Sequence, residues 1–338
     1  MRFDIGIDIG GTGIKLGVVD DQGRVVERCL LATQARKGPR QALVRISQTV
    51  NRLRQGRRVR SVGVGVAGLV DHDQGIVRVP PNLPGWNGAS VKDQLKELTG
   101  LPVFCGNDVN AVTLGEWLYG AGRGCRNFVC VTLGTGVGGG VVAGGRLILG
   151  ANHAAGEIGH TSVVPNGPGC HCGGRGCVER YVGSAYFVAR ARARLRAQLR
   201  KLNTHRNQTT LFAGFQSTTP SLILELVDGD SGAVTPREVG IAARRGDQLA
   251  LELVEETGRY LGMALANVVE IIDPERIVIG GGMSRLGTPL LKAVRRTVLE
   301  RIQTFPGRRL DVVRSRLGSD AGVVGAVCFA RARARFSR

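Results

Sequence analysis

Twice in this chain a short apolar strand runs into a tight glycine turn and straight back into a second strand. The first copy, FDIGIDIGGTGIKLGVVD, starts at residue 3; the second, NFVCVTLGTGVGGGVVAGG, starts at residue 127. In the first, Ile5, Ile7 and Ile9 share one face and Asp4, Gly6 and Asp8 the other, which is the period of a β-strand. IKLGVVD returns after the GGTG turn, and a DQG turn adds a third strand, RVVERCL. The two copies match only loosely residue by residue. The duplication is therefore architectural: two halves built on one strand–turn–strand plan.

Helix and strand patterns alternate through the rest of the chain. Helices are expected over 40–55, over 88–100 with Gly100 as the stop, from about Asp108, over 184–201, as one long run from 236 to 272, and over 320–335. Buried strands are expected at 61–71, in LPVFCGND, and in RIVIGGG (276–282), which a further helix follows. The polar segment 203–219 reads as a loop. The alternation makes the chain α/β. No clear linker interrupts it, so the halves should meet closely across a cleft.

A length of 338 residues suits about two domains, and a hydrophobic fraction of 43% suffices for a sizeable core. Lys and Arg number 46 against 27 Asp and Glu, a net charge of +19 that favours polyanionic partners such as nucleotides, polyphosphate, nucleic acid or anionic membrane. The arginines concentrate in alanine-rich helical runs, ARARARLRAQLRK (189–201) and ARARARFSR (330–338), without the aromatic interleaving of a stacking platform. Solvated basic surface is the expectation there, and a nucleic-acid partner is not. No run of about 18 apolar residues predicts a membrane span. The first residues enter a strand pattern at once, which reads as no signal peptide. A cytoplasmic protein with reduced thiols is expected.

Three glycine turns follow strands. In DIGGTGIK, residues 8–15, Gly10 and Gly11 let backbone N–H groups approach an anion, Thr12 adds a hydroxyl, and Lys15 a charge. Asp8 suits a hydrated Mg²⁺ that bridges phosphates. An ordinary hairpin turn is the plain alternative, and the Gly-Lys-Ser/Thr of a Walker loop is missing. Gly134, Thr135 and Gly136 form the second turn, and the pair would clamp a triphosphate from two sides. Gly281 and Gly282 form the third, a flat surface for a base or ribose. CGNDVNA (105–111) puts Asn107 and Asp108 at a strand end, where a carboxylate acts as general base toward a substrate hydroxyl or simply caps the next helix.

Three of the eight cysteines crowd into GPGCHCGGRGCVER, residues 168–181. A disulfide, a metal site and a reactive thiol are the possible uses. With His160 from GEIGH they give H-x9-C-x-C-x4-C. His160, Cys170, Cys172 and Cys177 make one imidazole and three thiolates, a closed tetrahedral zinc set of the structural kind. His171, wedged between two ligand cysteines, is a poor ligand. Cysteines 29, 105, 125, 130 and 328 lie in apolar stretches and read as core thiols.

In order along the chain, DIGGTGIKLGVVD, GNDVNA, VTLGTGVGGG, GEIGH with CHCGGRGCVE, and IVIGGG resemble the ROK family of sugar kinases and repressors, and its bacterial glucokinases most of all. The resemblance spans about residues 4 to 328. It implies an actin/hexokinase-like (ribonuclease H-like) fold: a domain over 1–115, another over 116–319, and the 320–335 helix packing back on the first. It implies ATP with Mg²⁺ and a hexose in the cleft, and a homodimer or homotetramer. Asp108 resembles the family's base toward the sugar 6-hydroxyl. Asn82 in PNLPGW, Asn107, Glu157, Glu179 and His160 resemble its sugar contacts, His160 holding zinc with its other ring nitrogen. Repressor members carry an N-terminal helix-turn-helix; here the phosphate hairpin begins at residue 4, which points to the kinase branch. Gly13 stands where many members have Lys or Asn, and 203–219 is longer than the usual connection. The implied reaction is ATP + hexose → ADP + hexose 6-phosphate, with glucose the expected sugar. The rivals are an N-acetylhexosamine kinase of the same family, polyphosphate as donor, and a non-catalytic sugar-sensing or nucleic-acid-binding regulator.

Overall fold

Alternation along β1 (Phe3–Ile9) buries Ile5, Ile7 and Ile9 completely. The computed structural model describes residues 2–207, 220–302, 304 and 307–336. Through the GGT turn, β1 pairs antiparallel with β2 (Gly13–Asp20), setting Asp8 opposite Lys15. β2 pairs in turn with β3 (Val25–Ala32). α1 (Gly38–Leu53) carries the chain back to β4 (Val59–Val66), which lies parallel to β1. A two-stranded ribbon, β5 (Leu69–Asp71) and β6 (Ile76–Arg78), comes next. α2 (Val91–Thr99) ends at Gly100, whose φ of 68° is the left-handed stop expected there. β7 (Val103–Asn107) completes a five-stranded sheet, and α3 (Asp108–Tyr119) leaves it.

The second sheet repeats the first strand for strand. β8 (Phe128–Leu133), β9 (Val137–Ala143) and β10 (Arg146–Leu147) form the antiparallel part, and β11 (Arg276–Gly280) and β12 (Asp311–Arg314) extend it in parallel. The orders are β3-β2-β1-β4-β7 and β10-β9-β8-β11-β12, the same plan in both. α4 (Glu179–Val182), α5 (Ser184–Asn207), α6 (Leu222–Glu225), α7 (Pro236–Arg244) and α8 (Gln248–Ile272) intervene before β11, and α9 (Thr288–Arg301) and α10 (Ala321–Phe336) follow it.

Four local expectations change. The 236–272 run is two helices, because Gly246 at φ 86° breaks it and Asp247 caps α8 by accepting from the Ala250 N–H. The 61–71 strand divides into β4 and β5 at Gly68, φ 117°. The 203–219 loop is helical as far as Asn207, and 208–219 lies outside the described residues. β12 was not anticipated from DVVR at all.

The face of the first sheet opposite the isoleucines is also covered. A Cβ at Gly6 or Gly63 would run into the backbone of Val323 or Ala326 on α10. Asp4, only 2% exposed on that face, is clasped by Arg60 at 2.6 Å and by Arg331 of α10 at 2.8 Å. Some of the basic runs are therefore structural rather than solvated: Arg194 likewise pairs with Glu256 at 2.6 Å. Among the described residues no helix is long and apolar enough to cross a membrane.

Candidate active site

The cap of α3 decides what Asp108 is free to do. Asn107, not Asp108, is the N-cap: its Oδ1 accepts from the N–H groups of Val109 (2.8 Å) and Asn110 (2.9 Å). Its Nδ2 donates to the Gly68 carbonyl (2.9 Å) and to Asp108 Oδ1 (3.1 Å). Asn107 thus spends its amide on the protein and orients Asp108. The Asp108 carboxyl is pushed up to about 7, first by burial and then by the charges of Asp8 and Glu157. Three carboxylates expected at the site, Asp8, Asp108 and Glu157, are within electrostatic reach of one another.

His72 was not expected there. It accepts from the Asn107 backbone N–H at 3.4 Å, and its ring stacks on His153 with centroids 5.6 Å apart. Burial first, and His153 second, lower it to about 4, so it stays neutral behind the helix start. Nothing in DHDQG marks it, because its partners come from distant segments.

Asp8 closes β1. It pairs with Lys15 at 3.4 Å across the hairpin, and burial, the larger influence, raises its carboxyl above the ordinary range. The turn beyond is held by the Gly10 N–H donating to the Gly13 carbonyl (3.0 Å) and by Thr33 Oγ1 donating to the Gly10 carbonyl (2.6 Å). Gly11 touches the Asn82 loop: a Cβ there would sit 2.8 Å from Asn82 Cβ and 2.9 Å from its carbonyl oxygen. The loop is anchored by fully buried Leu83 and Trp86, leaving Asn82 and Thr12 exposed. The first turn and Asn82 are therefore one surface.

The second turn is seated on Glu179. A Cβ at Gly136 would strike that carboxylate, whose Oε2 accepts from the Val137 N–H at 3.0 Å. The other oxygen is 3.2 Å from His171 Nδ1. Glu179 is 6% exposed, so it ties the cysteine loop to the second turn, while Thr135 stays exposed and Glu157 stands open at the head of the 158–160 turn. At the third turn the two glycines differ. Gly281, φ 79°, presses on the end of β8 where no side chain fits, and Gly282 faces open space.

The cysteine loop matches its spacing. One ligand atom each from His160, Cys170, Cys172 and Cys177 lies within 4.8 Å of all the others. Cys172 and Cys177 sulfurs are 3.7 Å apart, and Cys170 Sγ is 3.8 Å from His160 Nδ1. Bonds of about 2.3 Å to a tetrahedral ion separate sulfurs by nearly that distance, so the donor set fits zinc. No disulfide joins any of the eight cysteines. With Nδ1 turned to the sulfurs, His160 keeps Nε2 on the other side of its ring. Of the cysteines read as core thiols, Cys105, Cys125, Cys130 and Cys328 are buried and Cys29 is only half-buried; burial raises Cys105 and Cys130 well above an ordinary thiol.

Two matching α/β halves with glycine turns at their strand ends define the actin/hexokinase-like sugar-kinase fold. The chain matches the ROK family over residues 4–333 and belongs to it. It is 37% identical to the glucokinase of Thermotoga maritima over 97% of both chains, and 33% identical to the glucokinase of Streptomyces coelicolor over 98% of both. It superposes with a TM-score of 0.82 on a ROK family glucokinase from Streptomyces griseus crystallised with glucose and AMPPNP, at 34% identity and covering 98% of this chain and 99% of that one.

Proposed function

We propose that this protein is an ATP-dependent glucokinase, transferring the terminal phosphoryl group of MgATP to the 6-hydroxyl of glucose. The observation that carries the reading is the setting of Asp108: it opens α3 while Asn107 takes the cap, it lies within electrostatic reach of Asp8 and Glu157, and the chain is similar to curated glucokinases over nearly its full length. Asp108 takes the hydroxyl proton as the oxygen attacks, and Asn107 and the Val109 N–H fix its orientation. Gly10, Gly11, Gly134 and Gly136 receive the phosphates, with Thr12, Thr135 and Lys15 beside them and Gly281–Gly282 under the adenosine. Asp8 would hold Mg²⁺, which neutralises charge on the phosphates when bound. Asn82, Glu157 and His160 recognise sugar hydroxyls. Glu179 contributes by holding the wall on which they stand. We divide the chain at 1–115 and 116–319, with α10 belonging to the first part, so that closure of one on the other excludes water.

The test is ADP release from MgATP with glucose, N-acetylglucosamine, N-acetylmannosamine, mannose and fructose, on metal-replete protein. Glucose should give the strongest response. An acetylated sugar would overturn the sugar assignment, and silence on all five would overturn the kinase. Because Asp108 works only ionised, kcat/KM for glucose should fall as pH drops below about 7, with a slope of one proton. An acid limb near the ordinary carboxylate value of about 4 would remove Asp108 as the titrating base.

His160, Cys170, Cys172 and Cys177 would hold a structural zinc, whose closed shell offers a substrate no position and serves to fix the His160 ring. Metal analysis should find zinc bound to the wild-type chain and lost from Cys172→Ser. That variant should raise the glucose KM about tenfold or more and the ATP KM less. Equal changes in both would count against a role in the sugar wall.

A further inference from the structure

The chain crosses between its two sheets twice. Residues 120–127 join α3 to β8, and residues 315–320 join β12 to α10. Where the crossings meet lies an open groove of about 690 Å³, lined by Arg123 of the first, Arg316 of the second, Arg314 at the end of β12 and Arg276 at the start of β11. None of the phosphate-turn residues lines it.

Its charges are unbalanced. Arg276 donates to the Ala121 carbonyl at 2.8 Å and pairs with Asp311 at 3.1 Å, and its Nε is buried with no partner. Arg123, Arg314 and Arg316 are exposed, and no carboxylate pairs with their guanidinium groups among the described residues. Glu116, buried beneath, accepts from Ser315 Oγ and from backbone N–H groups, that of Arg316 among them, rather than from any of the four guanidinium groups. Four arginines line the groove and no carboxylate does: Asp311 pairs with Arg276, Glu116 is bound by Ser315 and backbone N–H groups, and Glu275 Oε1 accepts from the Arg126 and Asn127 N–H groups, so the three exposed guanidinium groups are left without a carboxylate among the described residues. Like charges held together at a surface repel until a counter-ion joins them, and guanidinium groups meet phosphate oxygens in paired hydrogen bonds. Val313 is the one sizeable apolar side chain in the lining, so the groove offers little to an uncharged ligand.

We propose that this groove binds a small anion carrying two or more phosphate groups. Such an anion bridges the two crossings and so bears on how the halves sit against each other. Its source is either inorganic polyphosphate or a doubly phosphorylated metabolite.

Isothermal titration of the full chain with tripolyphosphate, and separately with fructose 1,6-bisphosphate, tests this in 150 mM salt with glucose and Mg-AMPPNP saturating. The nucleotide keeps the glycine turns occupied, and binding is read directly, so the result does not depend on turnover. Stoichiometric binding of tripolyphosphate alone assigns the inorganic source; binding of the bisphosphate assigns the ester. Arg123→Ser/Arg314→Ser should weaken the bound probe at least about tenfold while leaving thermal unfolding and the ATP KM unchanged. If that variant does not fold, Arg316→Ser alone should weaken it about threefold or more. Absence of binding by both probes, or equal binding by wild type and folded variants, overturns the proposal.

Discussion

Asp108→Asn should cut kcat by about 10³-fold while glucose KM stays within about threefold. The amide keeps an oxygen for the Asn107 and Val109 donors and nearly the same shape, so the helix start is preserved. What it lacks is a lone-pair base. The same substitution should raise thermal stability at pH 8. A folded-state pKa near 7, above the unfolded value of 3.8, means the native state holds this proton more tightly than the unfolded chain does. The group's contribution to stability is therefore whole below about pH 4 and is lost as pH rises through about 7. The ionised form then costs up to about 4 kcal/mol, which asparagine avoids. The melting temperature of Asp108→Asn should exceed that of wild type at pH 8 and approach it at pH 5. Higher stability with lost turnover is the signature of a carboxylate held for chemistry rather than for the fold. Equal melting at both pH values, with kcat near wild type, would remove Asp108 from the mechanism.

What could be read from the residues was local. The two hairpins announce themselves by period-two isoleucines and glycine turns, and the His/Cys cluster that would hold a metal by cysteines within one loop. The placement of the helix cap was off by a single residue: Asn and Asp are equally good caps, and only the β7 register decides that Asn107 turns its oxygen to the N–H groups. β12 is four residues long and gains its partner, β11, from more than thirty residues upstream, so its own pattern could not show it. His72 and Arg331 were invisible for the same reason. A histidine in a polar turn and an arginine in an Ala-Arg run look solvated until α3, α10 and Asp4 are brought around them. Residues fixed by their neighbours in sequence were legible; residues fixed by the meeting of the two halves were not.

Glu116 is the sharpest case of the second kind, and its removal should cost the most stability. In sequence it sits inside an apolar helix, LGEWLY, as one more helical glutamate. In the fold it is fully buried and accepts from the Ala121 N–H (2.7 Å) on one crossing and from Ser315 Oγ (2.6 Å), the Arg316 N–H (3.1 Å) and the Leu317 N–H (2.9 Å) on the other. No water can replace those contacts without opening the seam. Glu116→Ala leaves three backbone donors and a hydroxyl without an acceptor, and should lower stability by about 3–5 kcal/mol in urea. Trp117, the next residue, bonds the Cys125 carbonyl across the same seam and reports its opening by fluorescence. Glu116→Gln is not a rescue, because its NH₂ would face N–H groups on one side; it should still lose about 2 kcal/mol. If instead the glutamine variant unfolds with wild type, the negative charge contributes nothing to the seam and shape alone holds it. A loss confined to the carboxylate's removal in both variants would mean that one buried side chain on α3 sets the join between the halves, and with it the stage on which Asp108, eight positions earlier on the same helix, faces the second half of the site.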